Sequence, residues 1–87
     1  MPYYIAVYDV GQKRVGKMLK LFRRYLVWVQ NSVFEGELTH AQFRELQLQA
    51  ESLIEDTDGV VFYQLRDERY SERIALGTDK AERSRFL

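Results

Sequence analysis

Asp9 is the residue from which chemistry follows most directly. It is the only acid among the first 34 residues, and Lys13, Arg14, Lys17, Lys20, Arg23 and Arg24 come soon after it. A carboxylate set among cations suits a divalent metal held beside a phosphate. Mg2+ takes oxygen ligands, usually one or two carboxylates completed by phosphate oxygens and water. One carboxylate per chain is a thin ligand set, and two copies of Asp9 facing each other across a dimer axis would complete it. Asp9 also has a purely structural reading. With Gln12 three positions on, it fits a capping box, in which it does no more than start a helix. Both readings stand at this level.

Other residues offer less. Gly11-Gln12-Lys13-Arg14-Val15-Gly16-Lys17 has the phosphate-loop spacing G-x-x-x-x-G-K, but Met18 stands where Ser or Thr should bind magnesium. His40 is the sole histidine and sits at an expected helix start, which suits an exposed helix-terminus residue better than a catalytic base. Glu35 and Glu37 alternate, so they share a strand face. Solvation is their default, with an accessory metal role as the alternative. Tyr3, Tyr4, Tyr8, Phe22, Tyr25, Trp28 and Phe34 crowd the first third. They suit a core or an interface, with base stacking reserved for Tyr8 beside Asp9. With no cysteine, disulfides and thiolate metal sites are excluded.

The formal net charge of zero hides an asymmetry: residues 1–34 sum to +5 and residues 35–87 to −5. The charges expected on the first helix are all basic and lack acidic partners at helical spacing. That pattern favours a polyanion-binding face over a merely solvated helix. Hydrophobic residues make up 46% of the 87, too many for a disordered chain. No run approaches the roughly 20 apolar residues of a membrane span. The first residues lack a basic, apolar leader, so the expected location is the cytoplasm.

The elements that must position Asp9 are read from periodicity. Residues 3–9 alternate as a strand, with Tyr3, Ile5, Val7 and Asp9 on one face and Tyr4, Ala6 and Tyr8 on the other. Residues 13–25 read as a helix whose apolar stripe is Val15, Met18, Leu19, Phe22 and Leu26, with Gly16 allowing close approach to the sheet. Residues 27–38 read as two short strands, with a tight turn or bulge at Asn31-Ser32. Thr39 with Gln42 forms a capping box for a second helix lined by Phe43, Leu46, Ala50, Leu53 and Ile54. A turn over residues 56–59 leads to a strand at 60–66, and Ile74-Ala75-Leu76 is a short extra strand. The order βαββαβ is an α+β, ferredoxin-like domain over residues 1–77, followed by a flexible C-terminal tail at 78–87. Two helices cover one sheet face, and the apolar second face is expected to pair two chains sheet to sheet. The strand at 74–76 is expected to join the partner's sheet edge.

Tyr8-Asp9-Val10, Lys13-Arg14-Val15, Arg73-Ile74-Ala75-Leu76-Gly77 and above all Val29-Gln30-Asn31-Ser32-Val33-Phe34-Glu35-Gly36-Glu37-Leu38-Thr39 resemble the CRISPR-associated protein two family, across about residues 3–77. The resemblance implies a ferredoxin-like homodimer and a metal-dependent endonuclease, of endoribonuclease type, that hydrolyses RNA or DNA in antiviral defence. It implies Mg2+ or Mn2+ held by Asp9, the catalytic residue, with Tyr8, Lys13, Arg14, Ser32 and Phe34 near the cleft. Lys17 joins the expected nucleic-acid contacts through its place on the basic helix. A spacer-acquisition integrase is the implied protein partner. The rival implication is a noncatalytic DNA-binding bridge for that integrase. The loop after Asp9 is shorter here than in many members and lacks their further acids.

Overall fold

The computed structural model describes residues 1–66. The expected strand at 74–76 and the tail at 78–87 lie outside the described residues. The elements run β1 (Tyr3–Asp9), α1 (Gln12–Arg23), β2 (Val27–Gln30), β3 (Val33–Glu37), α2 (His40–Leu53) and β4 (Gly59–Leu65). The sheet order is β2-β3-β1-β4, and each neighbouring pair is antiparallel. This is the split βαβ arrangement expected from the sequence.

The alternation in β1 sets the two faces. Tyr4, Ala6 and Tyr8 point to the helices and are buried, with Tyr4 and Ala6 fully inaccessible. They pack with Met18, Leu21 and Phe22 of α1, with Leu46 and Ala50 of α2, and with Leu26, Phe34 and Leu38. Phe22 sits at the centre of this core. Its ring meets Tyr8 at 5.2 Å, Phe34 at 5.4 Å and Phe62 at 6.0 Å between centroids. Truncating such a side chain to Ala typically costs about 3–5 kcal/mol.

Among the described residues, no helix lies on the other sheet face. Tyr3, Ile5 and Val7 lie there opposite Leu65, Tyr63 and Val61 of β4. Val61 and Tyr63 are exposed, at 51% and 57%.

The helices depart from expectation in two places. The buried side of α1 runs through Met18, Leu21 and Phe22, while Val15 is exposed. The buried stripe is therefore rotated at the first turn relative to the one read from the sequence. Gly16 is not a close-approach residue, since a Cβ added there would meet nothing within 4 Å. By contrast, α2 begins as expected. Thr39 Oγ1 accepts from the Gln42 N–H at 3.1 Å, and the Gln42 side chain accepts from the Thr39 N–H at 2.9 Å.

Between β2 and β3, Asn31 takes φ 44°, a left-handed conformation that Asn tolerates better than most residues. Its carbonyl accepts from Trp28 Nε1 at 2.8 Å, and the register shifts between Trp28 and Gln30. Gly36 has φ 155°, and a Cβ there would lie 3.2 Å from Leu26 Cδ2. The quoted run from Val29 to Thr39 thus contains a turn, a tight glycine contact and a helix cap in sequence.

Candidate active site at the end of the first strand

Asp9 is the last residue of β1, in register with Gly59 of β4. On the other side of β1, the Tyr8 N–H donates to the Ser32 carbonyl at 3.2 Å. The turn at 31–32 and the start of β4 therefore flank the strand end that carries Asp9. Asp9 is exposed and shares the helix-free face with Tyr3, Ile5 and Val7.

Asp9 does not cap α1. The N-cap is Gly11, and no side chain from that position closes the helix. Asp58, from the α2–β4 loop, takes the role instead. Its Oδ1 accepts from the Gly11 N–H at 2.9 Å across 47 residues. It also receives the Arg14 guanidinium on both oxygens, Nε to Oδ2 at 2.5 Å and Nη2 to Oδ1 at 2.9 Å. The Glu55 N–H donates to Oδ2 at 2.9 Å. The Asp58 side chain is only 1% exposed. Its carboxyl is held well below the usual carboxylate range, first by the Arg14 hydrogen bond and then by the Glu55 and Gly11 amides.

The residues expected around Asp9 separate into three groups. Arg14 is no free nucleic-acid contact, because Asp58 and Glu55 (2.7 Å) already occupy its guanidinium. Those acids lie 41 and 44 positions away, beyond any helical-spacing rule. Tyr8 and Phe34 are core residues, 4% and 0% exposed, with ring centroids 5.9 Å apart. No base can stack on rings enclosed in this way. The Tyr8 hydroxyl is buried without a hydrogen-bond partner, and burial pushes its pKa up. Ser32 is half-buried in the turn beside Tyr8. Lys13 and Lys17 are exposed on α1, as the basic-face reading requires.

The cations extend further than the expected set. Lys13, Lys17, Lys20 and Arg24 recur at spacings of four, three and four, which places them along one stripe of α1 and its C-cap. A groove of about 720 Å³ between α1 and α2 is lined by Lys17, Lys20, Arg23, Arg24, Leu21, Gln49, Ser52 and Leu53, with no carboxylate among them. Arg24 donates to Gln49 Oε1 at 3.1 Å, and Arg23 lies over the Trp28 ring at 5.9 Å. The spacing of these cations was visible in the sequence. The role of Asp58 was not, since it read only as part of a turn.

Glu35 is not solvated; it is 8% exposed on the helix-free face, opposite Ile5. Ile5 precedes Asp9 by four residues, roughly 13 Å along a strand. Glu35 therefore does not reach Asp9 within one chain. His40 is exposed at the start of α2. Among the described residues, no three potential side-chain ligands cluster as a metal site. Within one chain, β1 offers a single carboxylate, that of the exposed Asp9. That suits Mg2+, which keeps several waters, far better than a cation needing a closed cage of side chains. No helix among the described residues is long and apolar enough to cross a membrane.

Residues 1–73 match the family described as CRISPR associated protein Cas2. The chain is 49% identical over 86 residues to the CRISPR-associated endoribonuclease Cas2 of Dictyoglomus turgidum, covering 98% of this chain and 99% of the relative. It is 46% identical over 86 residues to the protein of the same name from Methanosarcina acetivorans, with the same two coverages. Among solved structures, one described as a crystal structure of cas2 superposes with a TM-score of 0.82 at 40% identity, covering 92% of this chain and 91% of that one.

Proposed function

Because this chain belongs to the CRISPR associated protein Cas2 family, we propose that it is a CRISPR-associated endoribonuclease working as a homodimer around Asp9. One observation carries the assignment: the Asp9 carboxylate stands exposed at the end of the central strand, with the helix start beside it served by Asp58. A residue there for architecture would be engaged by the helix it precedes. The endoribonuclease names of the relatives favour hydrolysis over the noncatalytic bridge.

Asp9 would hold Mg2+ or Mn2+, with the second copy's Asp9 and substrate phosphate oxygens as the remaining non-water ligands. When bound, such a metal lowers the pKa of a water and stabilises charge on the phosphate. The remaining work belongs to the chain itself. Asp9 fixes a negative point at a rigid strand end, and Lys13, four residues on, is the first cation of the α1 stripe. That stripe holds the backbone of the nucleic acid by charge, which makes affinity fall with salt. The exposed apolar face with Val61 and Tyr63 supports pairing through the sheets. A spacer-acquisition integrase and a cytoplasmic location complete the proposal.

The test is cleavage of labelled RNA and DNA, with and without Mg2+, by the wild type, Asp9→Asn and Asp9→Ala. Metal-dependent RNA cleavage that collapses in both variants supports the reading. Full Mg2+-dependent cleavage by a folded Asp9→Asn dimer overturns it.

A further inference from the structure

We propose that Asp58, acting through Gly11 and Arg14, is the positioning residue that sets the Asp9 carboxylate for metal binding. This rests on the reading of Asp9 as a metal ligand. Three observations support it. First, only Val10 separates Asp9 from Gly11, and the Gly11 N–H is held by Asp58 Oδ1 at 2.9 Å. Second, Gly59, the residue after Asp58, is the ladder partner of Asp9. The 58–59 dipeptide therefore grips the 9–11 segment at both ends. Third, the Asp58 side chain is 1% exposed and both its oxygens are occupied: Oδ1 accepts from the Gly11 N–H and Arg14 Nη2, and Oδ2 from Arg14 Nε and the Glu55 N–H.

The arrangement has a chemical logic. The start of α1 has no acid in its first turn and has Lys13 and Arg14 there, a poor match to the positive end of the helix dipole. A negative group is needed at that point. Asp9 is near enough in sequence to supply it, and would then accept the helix N–H groups instead of a cation. By placing the needed charge on Asp58, the fold leaves Asp9 unengaged and fixes the backbone on which it stands. Asp58 touches neither metal nor substrate in this scheme.

The test uses the full chain and three readouts on Asp58→Ala and Asp58→Asn: thermal melts, hydrogen exchange of the Gly11 amide, and Mn2+ affinity followed by paramagnetic broadening of signals around Asp9. Asp58→Asn keeps an oxygen for the Gly11 N–H and serves if Asp58→Ala does not fold. Expected, at a temperature where each variant is folded, is at least tenfold faster Gly11 exchange in Asp58→Ala and at least fivefold weaker Mn2+ binding. RNA turnover should fall at least tenfold in kcat with KM within twofold. Asp58→Asn should lie between it and the wild type. A lowered melting temperature with Mn2+ affinity and kcat within twofold of wild type overturns the proposal and leaves Asp58 a purely structural residue. Failure of the underlying reading shows separately, as absence of Mn2+ broadening at Asp9 in the wild type, and that result overturns the positioning role as well.

Discussion

The two helices pack on one sheet face, yet they begin in opposite ways. α2 is capped from within its own first turn, by the reciprocal Thr39–Gln42 bonds at 2.9 and 3.1 Å. α1 is capped from across the molecule, by a carboxylate 47 residues away. A local cap forms with the helix it serves and requires nothing else of the fold. A remote cap forms only when the α2–β4 loop has docked, so it ties the start of α1 to the start of β4. The helix that follows the candidate catalytic strand is the one whose start depends on tertiary structure.

The largest effect should come from removing the remote cap. Asp58→Ala deprives Gly11 and Glu55 of an acceptor and leaves Arg14 with only the exposed Glu55. Leaving a charge without its buried partner is among the costlier single changes. The melting temperature of Asp58→Ala is expected to fall further than that of Thr39→Ala. The reverse order would break the distinction between the two helix starts.

Acid should act next, and unequally. Asp58 has a carboxyl pKa lowered by Arg14, so its stabilisation is fully present above the ordinary carboxylate value and is lost as pH falls below about 4. Thr39 and Gln42 do not titrate. Melts between pH 7 and pH 3 should show a shallower acid slope for Asp58→Asn than for the wild type. Thr39→Ala should retain the wild-type slope.

These contrasts also explain what could be read in advance. Thr39 and Gln42 are three residues apart, the alternation of β1 is continuous, and Asn31 sits where a left-handed turn needs it. Each signal is local, and each corresponds to a feature of the structure. Asp58 reading as a mere turn residue, and Arg14 as a free cation, have one cause: their contact spans 44 residues. Tyr8 and Phe34 were placed beside a cleft through resemblance. Alternation had already put Tyr8 on the face opposite Asp9, but with both faces apolar the sequence did not say which one the helices cover. Val15 and Leu21 are both apolar and lie on α1. Only the way the helix rests on the sheet decides which of them is buried.

Thr39→Ala is expected to cost about 1 kcal/mol, or roughly 4–8 °C in melting temperature for a domain of this size. Gly16→Ala should move the other way, by about 0.4–1 kcal/mol, since the site is open and helical. It also sharpens the comparison. Combined with Asp58→Asn it should recover stability without recovering tight Mn2+ binding, because it strengthens the helix without restoring the Arg14–Asp58 ion pair.

The smallest effect should come from Asp9 itself, and its smallness is informative. Asp9 and Asp58 flank the same corner, with Asp9 opposite Gly59. Had Asp9 capped α1, replacing it with Ala would cost about 1 kcal/mol, as at Thr39. The cap lies at Gly11 and is served by Asp58, while the Asp9 side chain is exposed. Surface changes of that kind fall within about 0.5 kcal/mol. Thermal melts of Asp9→Ala should therefore overlay those of the wild type within about 3 °C, while Asp58→Ala melts clearly lower. A drop in Asp9→Ala as large as that in Thr39→Ala would return Asp9 to an architectural role and remove the contrast between the two aspartates. An unchanged melt together with lost Mn2+ broadening would assign one aspartate to chemistry and the other to holding it in place.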